Sequence, residues 1–445
     1  MRKGVYTGLA SFFAVATLTL CASSAMADDA PAIDTGNHAW MLISAALVLL
    51  MTPGLALFYG GMVRAKNMVN TLWLSFICMC VVGVTWILWG YSLSFAPGTW
   101  FIGGLQWCGL GAGEVGQEPG MYCDTIPHLT FMMFQGMFAI ITPALITGAF
   151  AERMKFNAWL VLIVLWTAIV YPPIAHWVWS SDGWLLALDS LDFAGGTVVH
   201  ICSGASALAV ILFLGKRKGY PKEVRPPHNL PFVMLGTGLL WFGWFGFNAG
   251  SALAADGLCA NAFVVTNTAT AAAGITWSLL EWVFHKKPTI LGACSGAVAG
   301  LVAITPAAGF VGPNASIAIG CASAILCYLA VTKMKKALGY DDALDVIGVH
   351  AVGGTWGAFA TGLFADQMIN PGAPAGLFHG NPDQLWRQIV GIVAAWAWAF
   401  GITCLLAWFV KAVIGLRPSE GEENTGMDIS QHKEISYHYY EAEQA

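Results

Sequence analysis

The chain has 445 residues, of which 57% are hydrophobic, only 10% are charged and 51 are glycine. Soluble domains carry about 25% charged residues, so the composition excludes an ordinary soluble enzyme and indicates an all-α polytopic membrane protein. The net charge of −5 decides little, because the placement of the charges matters more than their sum.

The N-terminus reads as a processing signal. Arg2 and Lys3 precede the apolar "GLASFFAVATLTL", and "ASSAMA" follows before "DDAP". That is a charged n-region, a short h-region and an A-x-A site. Residues 1–27 are therefore expected to be cleaved after Ala27, leaving Asp28 outside the cytoplasm. Apolar runs long enough to span then fall at 39–61, 71–95, 128–150, 157–178, 194–214, 230–253, 260–284, 289–307, 314–332, 345–366 and 388–414. The expected organisation is eleven transmembrane helices within 28–415 and a tail at 416–445.

Loop charge sets the direction. The loops on one side hold Arg64 and Lys66, Arg153 and Lys155, five cations between 216 and 225, Lys286 and Lys287, and Lys333, Lys335 and Lys336. The tail adds Lys411, Arg417 and Lys433; the opposite side carries only Arg387. The positive-inside rule then puts the C-terminus in the cytoplasm of a multi-pass inner-membrane protein. The outside loop 96–127 lacks Lys and Arg and holds Cys108 and Cys123. In an oxidising compartment these are candidates for a disulfide, with two free thiols as the open alternative.

Span five contains "GGTVVHICSGASALAV" and span ten "DVIGVHAVGGTWGAFATGLF", each with one histidine, His200 and His350. The spans run in opposite directions, so each imidazole lies roughly 10 Å from its own entry face and both sit near the midplane. Five helices one way and five the other form an inverted repeat, which places a site at the repeat interface. Ser203, Gly204, Gly353 and Gly354 lie one turn beyond the histidines and leave room between them. The bland alternative is two inert core histidines, but ionisable groups at this depth are rare and usually functional. Cys202 lies on another helix face, and the spans hold no HExxH or paired carboxylates. Neither an enzyme activity, a metal nor a cofactor is expected.

Aromatic residues gather near the outer ends of three spans, in "FMMFQGMFAIITP", "PPIAHWVWSSDGW" and "WFGWFGFNAGS". Most suit an interfacial belt, but Phe138 and Phe247 lie deeper, beside Asn248 and Ser251. Aromatic faces attract cations and a hydroxyl accepts from N–H, a combination suited to a small protonated amine.

At these residues the chain resembles the ammonium transporter family (Amt/Mep/Rh), in its bacterial Amt branch. The likeness runs from about Asp28 through the tail, in "ALFYGGMVRAKN", "FQGMFA", "GAFAERMKF", "PIAHWVW", "LDFAGGTVVH", "GWFGFNAGS", "LGACSGAVAGLVAITPAAGFVG" and "DVIGVHAVGG". The resemblance implies a homotrimer with one pore per subunit. It makes Trp179, Phe138 and Ser251 an ammonium recruitment site, with methylammonium as a substrate analogue. Phe138 and Phe247 become a pore gate, and His200 and His350 the pore-lining pair. Asp192 matches an acidic residue near the recruitment site; a helix cap is its structural alternative. The tail resembles one that packs on the inner face and affects regulation by a PII-type signalling protein, although by composition alone it reads as disordered. Two alternatives stay open: an ammonium-binding sensor without flux, and a neutral-gas channel of the Rh kind.

Overall fold

The computed structural model describes residues 32–223 and 225–437, so the expected signal at 1–27 lies outside the described residues. The helices are Thr35–Met62 (α1), Ala65–Phe95 (α2), His128–Ile146 (α3), Phe156–Ala187 (α4) and Gly196–Leu214 (α5), then Leu230–Ala252 (α6) and Gly257–His285 (α7). Ile290–Ile304 (α8) and Pro313–Leu338 (α9) follow. Val352–Phe364 (α10) is entered through the wide turn Ile347–Ala351, and Asp383–Val413 (α11) ends the bundle. Among the described residues, nine helices are long and apolar enough to cross a membrane. The two shorter ones, α8 and α10, lie where spans eight and ten are expected. α8 stops at Ile304, just before Pro306, which has no N–H to continue the helical hydrogen bonds.

Local chemistry sets where helices begin. Asp34 accepts from Asn37 N at 2.8 Å, Asp256 from Cys259 N at 2.9 Å and Thr289 from Gly292 N at 2.9 Å. Each side chain satisfies an N–H that the helix leaves without a partner. Large apolar side chains such as Leu42, Phe242, Ile275 and Trp282 remain exposed on the helix exteriors, as a lipid-facing surface requires.

Glycine lets the central helices approach. A Cβ on Gly236 of α6 would lie 2.4 Å from Phe58 N of α1. One on Gly204 of α5 would lie 2.4 Å from Ala351 N, and one on Gly354 of α10 would lie 2.8 Å from His200 Cβ. The small residues one turn beyond each histidine therefore form the α5–α10 crossing itself.

The structure bears on two points that the sequence left open. Cys108 and Cys123 are free thiols. Cys108 opens the 3-10 turn Cys108–Gly113 and Cys123 opens a short strand, Cys123–Pro127. Cys123 Sγ instead lies 3.4 Å from Thr125 Oγ1 and 3.8 Å from Leu253 O. The described part of the tail is also ordered, despite its polar composition. Its helix Glu420–Thr425 is opened by a Ser419–Glu422 capping box. Asp428 then accepts from Val69 N at 3.1 Å and Asn70 N at 2.8 Å, capping the α-helical stretch of α2 that begins at Met68. Polar residues that cannot build a core serve here as caps.

Candidate functional site

The two histidines occupy equivalent wide turns, Gly196–Ile201 at the start of α5 and Ile347–Ala351 leading into α10. Both side chains are buried, and their Nδ1 atoms lie 3.3 Å apart, with one ring donating to the other. The rings are nearly parallel, with centroids 5.4 Å apart and planes 24° apart. His200 Nε2 is buried without a hydrogen-bond partner among the described residues.

On the side of the 96–127 loop, the His200 ring lies close to parallel with Trp244, at 5.4 Å, and with Phe247, at 6.1 Å. Phe138 covers Phe247 at 4.3 Å, and Trp179 meets Phe138 edge-on at 5.7 Å. Above this pair opens a cavity of about 200 Å³ lined by Tyr122, Phe131, Gln135, Phe138, Trp179, Phe193, Ser251 and Leu253. On the other side, His350 lines a cavity of about 50 Å³ together with Tyr59, Ser295 and Asp345. Trp179, Phe138, Phe247, His200 and His350 thus form a column of rings between two cavities that open toward opposite ends of the bundle.

Of the residues singled out from sequence, Trp179, Phe138 and Ser251 come together in the larger cavity, and Phe138 and Phe247 form its floor. Ser251 Oγ donates to Phe247 O at 2.9 Å, which leaves its lone pairs available to accept. Asp192 does not line that cavity. Its carboxylate accepts from Gly195 N at 2.8 Å, Gly196 N at 2.7 Å and Thr197 N at 2.7 Å, and from the Thr197 hydroxyl. Its backbone carbonyl accepts from Trp179 Nε1 at 3.0 Å. One residue thereby fixes the turn that carries His200 and the indole above it.

Two cavity residues have roles that motif reading left unassigned. Gln135 presents a buried Oε1 that no donor reaches among the described residues. Tyr122 stacks on Phe131 at 4.8 Å and reaches it from the 96–127 loop, whose composition gives no sign of such a contact. The "FQG" triplet was the only sequence signal for the first; the second had none.

Ion pairs brace the basic end of the bundle. Glu152 is held between Arg64 at 3.1 Å and Arg225 at 2.9 Å. Burial works to raise its carboxyl, but the Arg64 hydrogen bond and charge outweigh this and keep it below the usual range. Asp341 is held low by Arg217 and Arg153 against the same opposing effect of burial.

The chain matches the Ammonium Transporter Family over residues 39–437. It is 53% identical over 402 residues to an ammonium transporter of Bacillus subtilis, covering 90% of this chain and 98% of that one. It is 48% identical over 404 residues to the ammonium transporter Amt1 of Archaeoglobus fulgidus, covering 90% and 99%. Among solved structures, Mep2 of Candida albicans aligns with a TM-score of 0.82 at 38% identity, over 88% of each chain. A protein described as a sensor Amt protein aligns at 0.81 and 31% identity, over 89% of this chain and 98% of that one. These likenesses run through the helices that carry the ring column, and the chain, a multi-pass helical membrane protein, belongs to the Ammonium Transporter Family.

Proposed function

We propose that this chain transports ammonium, recruiting the cation in the cavity beside the 96–127 loop and passing ammonia along a pore lined by His200 and His350. The observation that carries the reading is the ring column that separates two cavities around the Nδ1–Nδ1 pair. In the larger cavity the Trp179 and Phe138 rings attract a cation, while Ser251 Oγ and Gln135 Oε1 accept its N–H groups. No charged side chain lines that cavity, so the substrate brings the only formal charge.

Magnitudes decide which species goes further. Carrying an intact cation into a dry, apolar passage costs several kcal/mol even after relaxation, and tens by an idealised Born estimate. Removing the proton of an amine whose pKa is about 9 costs roughly 3 kcal/mol near neutrality, at 1.36 kcal/mol per unit. Deprotonation costs less, so ammonia traverses the Phe138–Phe247 constriction. The imidazoles then offer one N–H donor and one acceptor to the passing amine. Potassium has no proton to release and is rejected.

The remaining architecture in this reading is eleven spans, five and five inverted plus one, in a homotrimer. The 96–127 loop faces outside, the basic loops face the cytoplasm of an inner-membrane protein, and residues 1–27 are removed. The tail from 416 is a regulatory element on the face that meets a PII-type signalling protein. No enzyme activity and no cofactor enter this reading. A sensor without flux is the second reading, favoured by the likeness to a protein described as a sensor.

The test is uptake of radiolabelled methylammonium, and current on adding ammonium, in proteoliposomes. Replacing His200 and His350 together by Ala should abolish uptake with the assembly intact. Binding without flux in the parent protein selects the sensor. Potassium passing as readily as ammonium refutes the transport mechanism.

A further inference from the structure

The two turns that carry the histidines are entered in the same way. Asp192 stands eight residues before His200, and Asp342 eight before His350. Five residues beyond each aspartate, Thr197 N and Ile347 N donate to its Oδ2, both at 2.7 Å. Three residues beyond, Gly195 and Asp345 adopt left-handed backbone, with φ of 111° and 61°. Their carbonyls accept from Val199 N and Val349 N, both at 2.9 Å. Glycine takes the left-handed region freely, whereas an aspartate does so at a cost. The second turn therefore repeats the backbone path of the first without the residue that makes it easy.

The copies differ in how fully the carboxylate is served. Asp192 Oδ1 is filled by the Gly195 and Gly196 amides, and the Thr197 hydroxyl is a second donor to Oδ2. Asp342 Oδ1 is instead buried without a hydrogen-bond partner among the described residues, and Ile347 has no hydroxyl to add to Oδ2. Around this carboxylate stand Tyr59 of α1, Arg153 after α3, Arg217 after α5, Lys335 of α9, and Tyr340 and Asp345 of its own loop. Burial first, and the Asp345 charge second, push its carboxyl up to about 6.

We propose that Asp342 is the positioning residue for His350. Its Oδ2 fixes the entry to the α10 turn, and with it the depth at which the imidazole meets His200. The proposal rests on the pore reading above. The role is geometric: an oxygen at the Oδ2 position accepts from Ile347 N whether the group is charged or neutral. Asparagine keeps that oxygen in place and fills the orphan position with a donor. Glutamate keeps the charge but sets the oxygen one methylene further from the backbone.

The experiment compares Asp342→Asn and Asp342→Glu with the parent protein and with the double His→Ala variant. The readouts are methylammonium uptake in proteoliposomes at pH values on either side of about 6, with thermal unfolding as the check on folding. Asp342→Asn should transport within about twofold of the parent at every pH. Asp342→Glu should lose about tenfold or more in maximal rate with its half-saturation unchanged, because the recruiting cavity is untouched. A structure of that variant should show the Nδ1 atoms further apart than 3.3 Å. The proposal is overturned if Glu transports and a folded Asn variant does not, or if both match the parent. Uptake surviving in the double histidine variant overturns the pore reading and this one with it.

Discussion

Gly354→Ala places one methyl group where α5 and α10 cross. The added Cβ would lie 2.8 Å from His200 Cβ, 3.0 Å from Gly196 O and 3.2 Å from Ile201 N. Ordinary contact begins near 3.4 Å, so α5 must retreat by about 0.6 Å at the residue that bears the imidazole. Two of the three obstacles are backbone atoms, and no rotamer change relieves them. Overpacking of this kind costs about 1–3 kcal/mol, which the fold should survive. Function should suffer more, since about 1 Å of misplacement costs on the order of 100-fold; 0.6 Å then corresponds to about tenfold. Gly83→Ala is the control: nothing lies within 4 Å of its added Cβ, and it should gain about 0.5–1 kcal/mol in helix stability. The assay is initial methylammonium uptake by equal amounts of reconstituted protein, with thermal unfolding in parallel. A folded Gly354→Ala variant with parental uptake refutes the inference that the crossing sets the imidazole geometry.

Other perturbations test separate parts of the structure. Trp179→Leu removes the indole over Phe138 and should raise the methylammonium half-saturation several-fold, at about 0.5–2 kcal/mol for a cation–π contact; unchanged affinity assigns the indole to the interfacial belt. Glu152→Gln strips the anion shared by Arg64 and Arg225 and should cost about 3 kcal/mol, read as a lowered Tm. Because the Glu152 carboxyl sits below its usual range, its contribution is full at neutral pH and disappears as pH falls through that lowered value. The parent should therefore lose stability in acid over a range where the variant is flat. Asp428→Ala removes the cap on Val69 and Asn70 and should cost about 1 kcal/mol, seen as faster proteolytic release of the tail.

The sequence carried the bundle because its signals are one-dimensional. Hydropathy and loop charge located the apolar runs, and the spacing around His200 and His350 brought two distant helices to one depth. The short α8 and α10 were legible as positions but not as lengths, since α8 ends just before Pro306, which has no N–H, and α10 follows the wide turn Ile347–Ala351. What escaped depended on contacts between distant segments. Tyr122 reaches the cavity only because its ring stacks on Phe131. The tail, judged by composition, offered no core, and what it docks on includes the Val69 and Asn70 amides of α2 and the Asn67 side chain. Cys108 and Cys123 shared a loop and a compartment, and neither of these fixes the direction in which a thiol points.

That attachment has a temporal side. Val69 and Asn70 belong to the second helix made, yet their amides bond a carboxylate 358 or 359 positions further along the chain. While the bundle is being synthesised, those N–H groups must be served by water. The start of α2 reaches its finished form only after nearly the whole polypeptide has left the ribosome, so a chain that stops short of residue 428 leaves an early helix incomplete.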